Sequence, residues 1–429
     1  MAVDQGRGDA VGRVLDTVWR MESPRLIAAL TRTTRDVGLA EDLAQEAMLA
    51  ALQQWPASGV PDNPAAWLTA VAKRRAVDHV RRAVLAERKH DELGRDLEAA
   101  QPTEADIDAA IDDAAIEDDL LRLIFMCCHP ILSLDARVAL TLRLLGGLRT
   151  GEIARAFLTS EPTIQQRIVR AKRTLAEAHV PFEVPGGADF RARLESVLQV
   201  IYLVFNEGYT ATAGDDWIRP ALCEDALRLA RVLATLVPDE AEVHGLVALL
   251  EIQASRIRAR TGPSGEPIPL LEQQRGRWDH LLIRRGLAAL RRAEALGGAS
   301  GPYAIQAEIA ACHARARTAG DTDWPGIVAL YDALAQLMPS PIVELNRAVA
   351  VGMAYGPAAG LEIVDGLRDD PTLAGYHLLP AVRGDLLARL DRNEEAASEL
   401  ARAASMTRNV PERTLLLERA AQATRRGVT

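Results

Sequence analysis

Apolar side chains recur three and four residues apart along this 429-residue chain, and no convincing run of alternating β-branched residues interrupts them. That spacing places them on one face of a helix, whereas a strand needs a period of two. Leu26, Leu30, Leu39, Leu43, Ala47 and Leu52 set the rhythm early, and it continues to the end of the chain. The expected fold class is therefore all-α. Aromatic residues make up only 4%, and Ala, Leu and Arg dominate, a composition that favours helices. The length exceeds one ordinary domain, so two to four are expected.

Breakers divide the chain. Trp55 to Pro64 reads as a loop, with Asp62 or Asn63 as an N-cap and Pro64 at the first helical position of a helix running to about Val84. Residues 86–115 are acidic and poor in bulky apolar groups, the composition of a flexible linker. A second helical block spans 116–182, and Gly146-Gly147 stops one of its helices. Pro181 to Gly187 reads as another linker, and 188–429 is helical throughout, with turn signals spaced as in stacked helix pairs.

The formal net charge of -9 argues against nucleic acid only as a total, because the charge is segregated. Lys73, Arg74, Arg75, Arg81, Arg82, Arg88 and Lys89 form a basic stripe just before the acidic segment, and a local stripe is what phosphates meet. No apolar stretch is long enough to span a bilayer, and the N-terminus does not read as a signal peptide. Cys127, Cys128, Cys223 and Cys312 lack the spacing of a disulfide framework, which fits a reducing cytoplasm.

Three motifs follow in order. Glu41 to Leu49 presents Asp42, Gln45, Glu46 and Leu49 at helical spacing, a surface suited to a partner helix or to solvent. Next, Asn63, Trp67, Lys73, Arg74, Arg81 and Arg82 could hold backbone phosphates, with Trp67 either stacking on an unpaired base or packing in a core. Then Leu148–Phe157, a turn at 158–160 and a helix at 161–175 make a helix-turn-helix. In its second helix Ile164, Ile168, Ala171 and Leu175 share the inner face, to pack on Ile153 and Ala154. Thr163, Gln165, Gln166, Arg167, Arg170 and Arg173 face outward as donors for base edges and phosphates.

In this order the motifs resemble an RNA polymerase sigma factor of the extracytoplasmic-function (ECF) group, over about residues 12–180. The resemblance implies a sigma-2 domain at 12–85 and a sigma-4 domain at 116–182, with the acidic linker crossing the polymerase near the RNA exit path. It implies core polymerase as partner, through the β′ clamp helices and the β flap, and promoter DNA. Asp42, Gln45, Glu46 and Leu49 would dock on the clamp, and the basic helix with Asn63 and Trp67 would melt and read the -10 element. The recognition helix would read the -35 element. Arg74 departs from the pattern, since the family often carries Asn there.

Ile201–Tyr209, Leu222–Ala226 and Leu271–Asp279 resemble the C-terminal extension of one ECF subgroup, a helical tail with tetratricopeptide-like character from about residue 300. This implies that residues 188–429 control activity and have a protein or ligand partner of their own. Asn206-Glu207-Gly208-Tyr209 reads either as a ligand-binding corner or as a helix C-cap with Tyr209 beneath it. Cys127-Cys128-His129 could suggest a metal or a redox sensor, but adjacent cysteines chelate one ion poorly, and buried helix packing is the expected role. With no phosphate loop, dinucleotide fingerprint or nucleophile motif, neither a cofactor nor an enzyme activity is expected. The alternative reading is a helix-turn-helix regulator with a ligand- or partner-binding repeat domain, which would need no sigma-2 signature.

Overall fold

Helices account for nearly all of the regular structure. The computed structural model describes the backbone of residues 2–91 and 113–427, with side chains described over 14–15, 17–79, 118–187 and 189–427. The fold is all-α apart from two strands of two residues each. It divides into two compact units, Met1–Val200 and Ile201–Thr429.

In the first unit α1 (Ala2–Thr34), α2 (Val37–Ser58) and α3 (Pro64–Asp91) pack on one another. Asp36 caps α2 by accepting from the amides of Gly38 and Leu39. Asn63 Oδ1 accepts from the Ala66 amide at 3.0 Å, so Asn63 caps α3 with Pro64 in the first turn. Two boundaries differ from the expected ones. Helix α2 runs through Trp55 and Pro56 to Ser58, because buried Trp55 anchors its last turns and Gly59, at φ 83, ends it. Helix α3 continues past Val84 to Asp91. Most of the expected linker, residues 92–112, lies outside the described residues.

Helices α4 (Asp113–Cys127), α5 (Leu134–Leu144), α6 (Thr150–Ala156) and α7 (Glu161–Glu177) follow. Helix α4 packs on α1, and α7 packs on α5 and α6. Helix α8 (Gly187–Tyr209) begins in this unit. Its Arg193 donates to Phe125 O at 2.9 Å, and Ser196 donates to Cys128 O at 2.7 Å.

The second unit contains α9 (Pro220–Leu236), α10 (Ala241–Ala254), α11 (His280–Ala295), α12 (Pro302–Arg315), α13 (Trp324–Leu337), α14 (Pro341–Ala354), α15 (Pro357–Gly366), α16 (Leu378–Arg389), α17 (Asn393–Met406) and α18 (Val410–Gly427). Successive helices pack on their neighbours, as in a solenoid. Helices α14 and α15 approach closely at Gly352 and Gly360, where a Cβ on Gly360 would lie 2.9 Å from the Gly352 Cα. The strands β1 (Ala213–Gly214) and β2 (Arg408–Asn409) pair in parallel. Buried Asn409 reinforces the pairing, donating to Ala211 O at 3.0 Å and Asp216 O at 2.8 Å.

Candidate polymerase and nucleic-acid surfaces

The helix-turn-helix assembles as α6, a short turn and α7. Ser160 caps α7 through the Thr163 amide, with Pro162 in the first turn. Leu158, exposed in the turn, takes the left-handed conformation at φ 46, a position that favours glycine. Ile164, Ile168, Ala171 and Leu175 are buried, as are Ile153 and Ala154 of α6. This leaves Thr163, Gln165, Gln166, Arg170 and Arg173 exposed on the opposite face. Pro162, Thr163, Gln165, Gln166 and Val169 line an open concavity of 400 Å³. Arg167 is half-buried and pairs with Asp135 of α5 at 3.2 Å, which fixes its guanidinium beside the exposed face. Arg173 pairs with Glu177 one turn on, at 3.0 Å.

On α2, Asp42, Glu46 and Leu49 are exposed on one face, and Leu49 is 56% accessible. Glu46 is held by Arg75 of α3 at 2.6 Å. Gln45 is turned inward, donating to Glu41 Oε1 at 2.6 Å. On α3, Arg74 is exposed and Lys73 half-buried, while the side chains of Arg81 and Arg82 lie outside the described residues. Trp67 is half-buried and meets fully buried Trp55 edge to face, with centroids 5.4 Å apart. Its indole is thus anchored at one edge.

Glu41 is the residue whose role the linear reading missed. It is 3% exposed, and its carboxylate accepts from Arg143 Nε of α5 at 2.6 Å and pairs with Lys172 Nζ of α7. Burial raises this carboxyl's pKa, but the two cations outweigh burial and leave it below the ordinary carboxylate range. A signal was present: Glu41 shares the inward stripe of Val37, Ala40 and Ala44, and Lys172 sits between Ile168 and Leu175 on the inner side of α7.

Cys127 and Cys128 are buried, and burial pushes the Cys128 thiol up to about 11. Among the described residues no group of three or more His, Cys, Asp or Glu side chains could hold a metal ion, and no helix is long and apolar enough to cross a membrane.

Comparison with known proteins adds to this geometry. Residues 18–84 match Sigma-70 region 2, residues 122–175 match Sigma-70, region 4, and residues 193–294 match a family of unknown function, DUF6596. An uncharacterized protein of Rhizobium meliloti is 44% identical over 390 residues, covering 91% of each chain. The ECF RNA polymerase sigma factor SigK of Mycobacterium ulcerans is 30% identical over 158 residues, 35% of this chain and 78% of SigK. A probable ECF sigma factor, SigI of Mycobacterium tuberculosis, is 28% identical over 172 residues, 40% of this chain and 57% of SigI. No solved structure matches the chain. The chain belongs to the ECF RNA polymerase sigma factor family, and is a sigma factor with a C-terminal helical extension.

Proposed function

We propose that the protein binds core RNA polymerase in the cytoplasm, directs it to specific promoters and is controlled by its extension. The observation that carries this reading is the two-faced recognition helix: α7 buries its apolar stripe against α5 and α6 and leaves a row of amides, hydroxyls and guanidiniums outward. Two family regions in one chain also favour it over a helix-turn-helix regulator, which needs no region 2.

In this reading Asp42, Glu46 and Leu49 contact the β′ clamp helices, and Gln45 sets the surface from behind by holding Glu41. Trp67, braced on Trp55, captures an unpaired -10 base, with Asn63, Lys73, Arg74, Arg81 and Arg82 placing phosphates and bases around it. Thr163, Gln165, Gln166, Arg167, Arg170 and Arg173 read the -35 duplex, and region 4 rests on the β flap. The domain bounds 12–85, 86–115, 116–182 and 188–429 belong to the same proposal, with the tetratricopeptide-like part beginning near 300. The polymerase performs the chemistry, and the sigma factor supplies no catalytic group.

Run-off transcription from the protein's own upstream DNA tests this, with core polymerase and either the full chain or a truncation. The truncation should end after Val200, since Arg193 and Ser196 belong to the first unit. Specific transcripts from the full chain are expected, and a changed yield from the truncation gives the sign of the extension's control. Arg170→Ala should weaken -35 binding by about 1–3 kcal/mol. Unaltered promoter binding by that variant would remove α7 from the proposal, and unaltered core affinity in the Asp42→Ala, Glu46→Ala double variant would remove the docking face.

A further inference from the structure

In the second unit α8, α10, α12, α13 and α14 enclose a cavity of 180 Å³ that none of the sigma-factor roles uses. Its wall includes Tyr202, Asn206, Tyr209, Gln253, Gln306 and Tyr331, and the exposed Asn346 stands at its rim. Tyr202 donates to Gln306 Oε1 at 3.1 Å, and Gln306 Nε2 donates to Pro302 O at 3.1 Å, so that part of the wall is satisfied. Gln253 Oε1 is not: it is a buried acceptor without a hydrogen-bond partner among the described residues. A buried carbonyl in that condition is costly and calls for a donor.

Behind the wall lies a cluster of guanidiniums held by hydrogen bonds and aromatic rings, with Asp321 acting on Arg275 but no ion-paired carboxylate among the described residues. The Arg260 guanidinium sits 3.8 Å from the centroid of the Tyr209 ring, and that of Arg256 sits 5.8 Å from it. Arg256 also lies 5.7 Å from the Trp278 ring centroid, with Arg275 at 5.0 Å. Arg256 is 5% exposed, and its Nε has no partner. Among the described residues no carboxylate forms an ion pair with Arg256, Arg260 or Arg275. Buried charges are ordinarily paired. Three guanidiniums gathered on aromatic faces, two of them on a ring that lines the cavity, make the cavity a place of positive potential. Burial, with the charges of Arg256 and Arg275, holds neighbouring His313 down to about 3, a second sign of the same field.

We propose that this cavity binds a small single-ring carboxylic acid carrying a hydrogen-bond donor. The tyrosine-lined wall accepts a planar body, and a cavity of about 150 Å³ is known to accommodate one benzene ring. The positive field favours the carboxylate, and the unpartnered Gln253 oxygen takes the donor. The binding itself stands apart from the sigma-factor reading. Only its use as an effector signal rests on the extension controlling transcription.

Calorimetric titration of the full chain with para-hydroxybenzoate, against its neutral isostere para-hydroxybenzamide, tests the site. Saturable binding of the acid is expected, about tenfold or more tighter than the amide. Gln253→Leu and Tyr331→Phe should each weaken the acid severalfold with the melting temperature retained. Arg256→Met should bring acid and amide to similar affinity. If that variant does not fold, the first two carry the test. The proposal is overturned by failure of the acid to saturate, by equal binding of acid and amide to the unmodified chain, or by full acid affinity in both Gln253→Leu and Tyr331→Phe. A chain that binds the acid yet starts no transcripts would sink the sigma-factor reading alone.

Discussion

Two buried charged centres, one in each unit, are built in opposite ways. Around Glu41 a single carboxylate meets Arg143 and Lys172 at close range, with Gln45 completing its shell. Around Arg256 three guanidiniums share aromatic faces, and among the described residues no carboxylate is ion-paired with them. The first centre is closed upon itself and joins helix α2 to α5 and α7. The second is left open in charge beside a cavity. A buried ionic group that is fully matched points to structure, and one that is unmatched points to a ligand.

Removing the anion from the matched centre should have the largest effect. Glu41→Ala leaves Arg143 and Lys172 facing each other with little water, and should destabilise the first unit by about 3 kcal/mol in denaturant titrations. The centre also carries a pH signature. Because the folded carboxyl lies below its ordinary range, the stability it contributes is present above the unfolded pKa and is lost as pH falls through the lower folded value. An unchanged midpoint for Glu41→Ala would show that the matched centre contributes nothing.

The unmatched centre should respond to acid earlier. His313 titrates at about 3 in the folded chain against the ordinary value of 6.5, so the unfolded chain binds more protons between those values. Stability of the second unit should therefore fall as pH drops through that window, by about 2 kcal/mol near pH 5. Thermal melts of the chain and of His313→Gln over this range would check it. A second-unit transition equally steep in acid in both would assign the loss to other groups.

The smallest effect is expected from the variant that most sharpens the contrast. Arg256→Met removes a buried charge that leaves no carboxylate behind, so stability should change by no more than about 1 kcal/mol despite the lost ring contacts. A loss as large as that of Glu41→Ala would mean that the guanidiniums are matched after all.

What the linear chain reveals follows the same division. The helix-turn-helix was legible because a buried stripe, an N-cap and an exposed polar row all occur within one short stretch, from Leu148 to Leu175. The cap at Asn63 and the inward face of α7 were legible for the same local reason. The end of α2 was not, because Pro56 reads as a breaker until Trp55 is known to be buried beside Trp67. Glu41 was read as part of an acidic surface, since its partners lie 102 and 131 residues on, as the numbering of Arg143 and Lys172 shows. The cavity draws its wall from five helices, and no window of sequence holds more than a corner of it. That corner was Asn206 to Tyr209, which read as a helix cap in preference to a ligand site.

The pairing of Ala213–Gly214 with Arg408–Asn409 has a consequence for how the extension can come apart. An open stack of helices frays from its free end, one layer at a time, each layer costing only its nearest-neighbour interface. Here the last layer but one is tied by Asn409 to the loop that precedes α9, so the far end of the chain holds the near end shut. Such a stack behaves as a ring with a single catch. Trimming it from the C-terminus past Asn409 should not shorten it gradually but should loosen its first loop and last helices together.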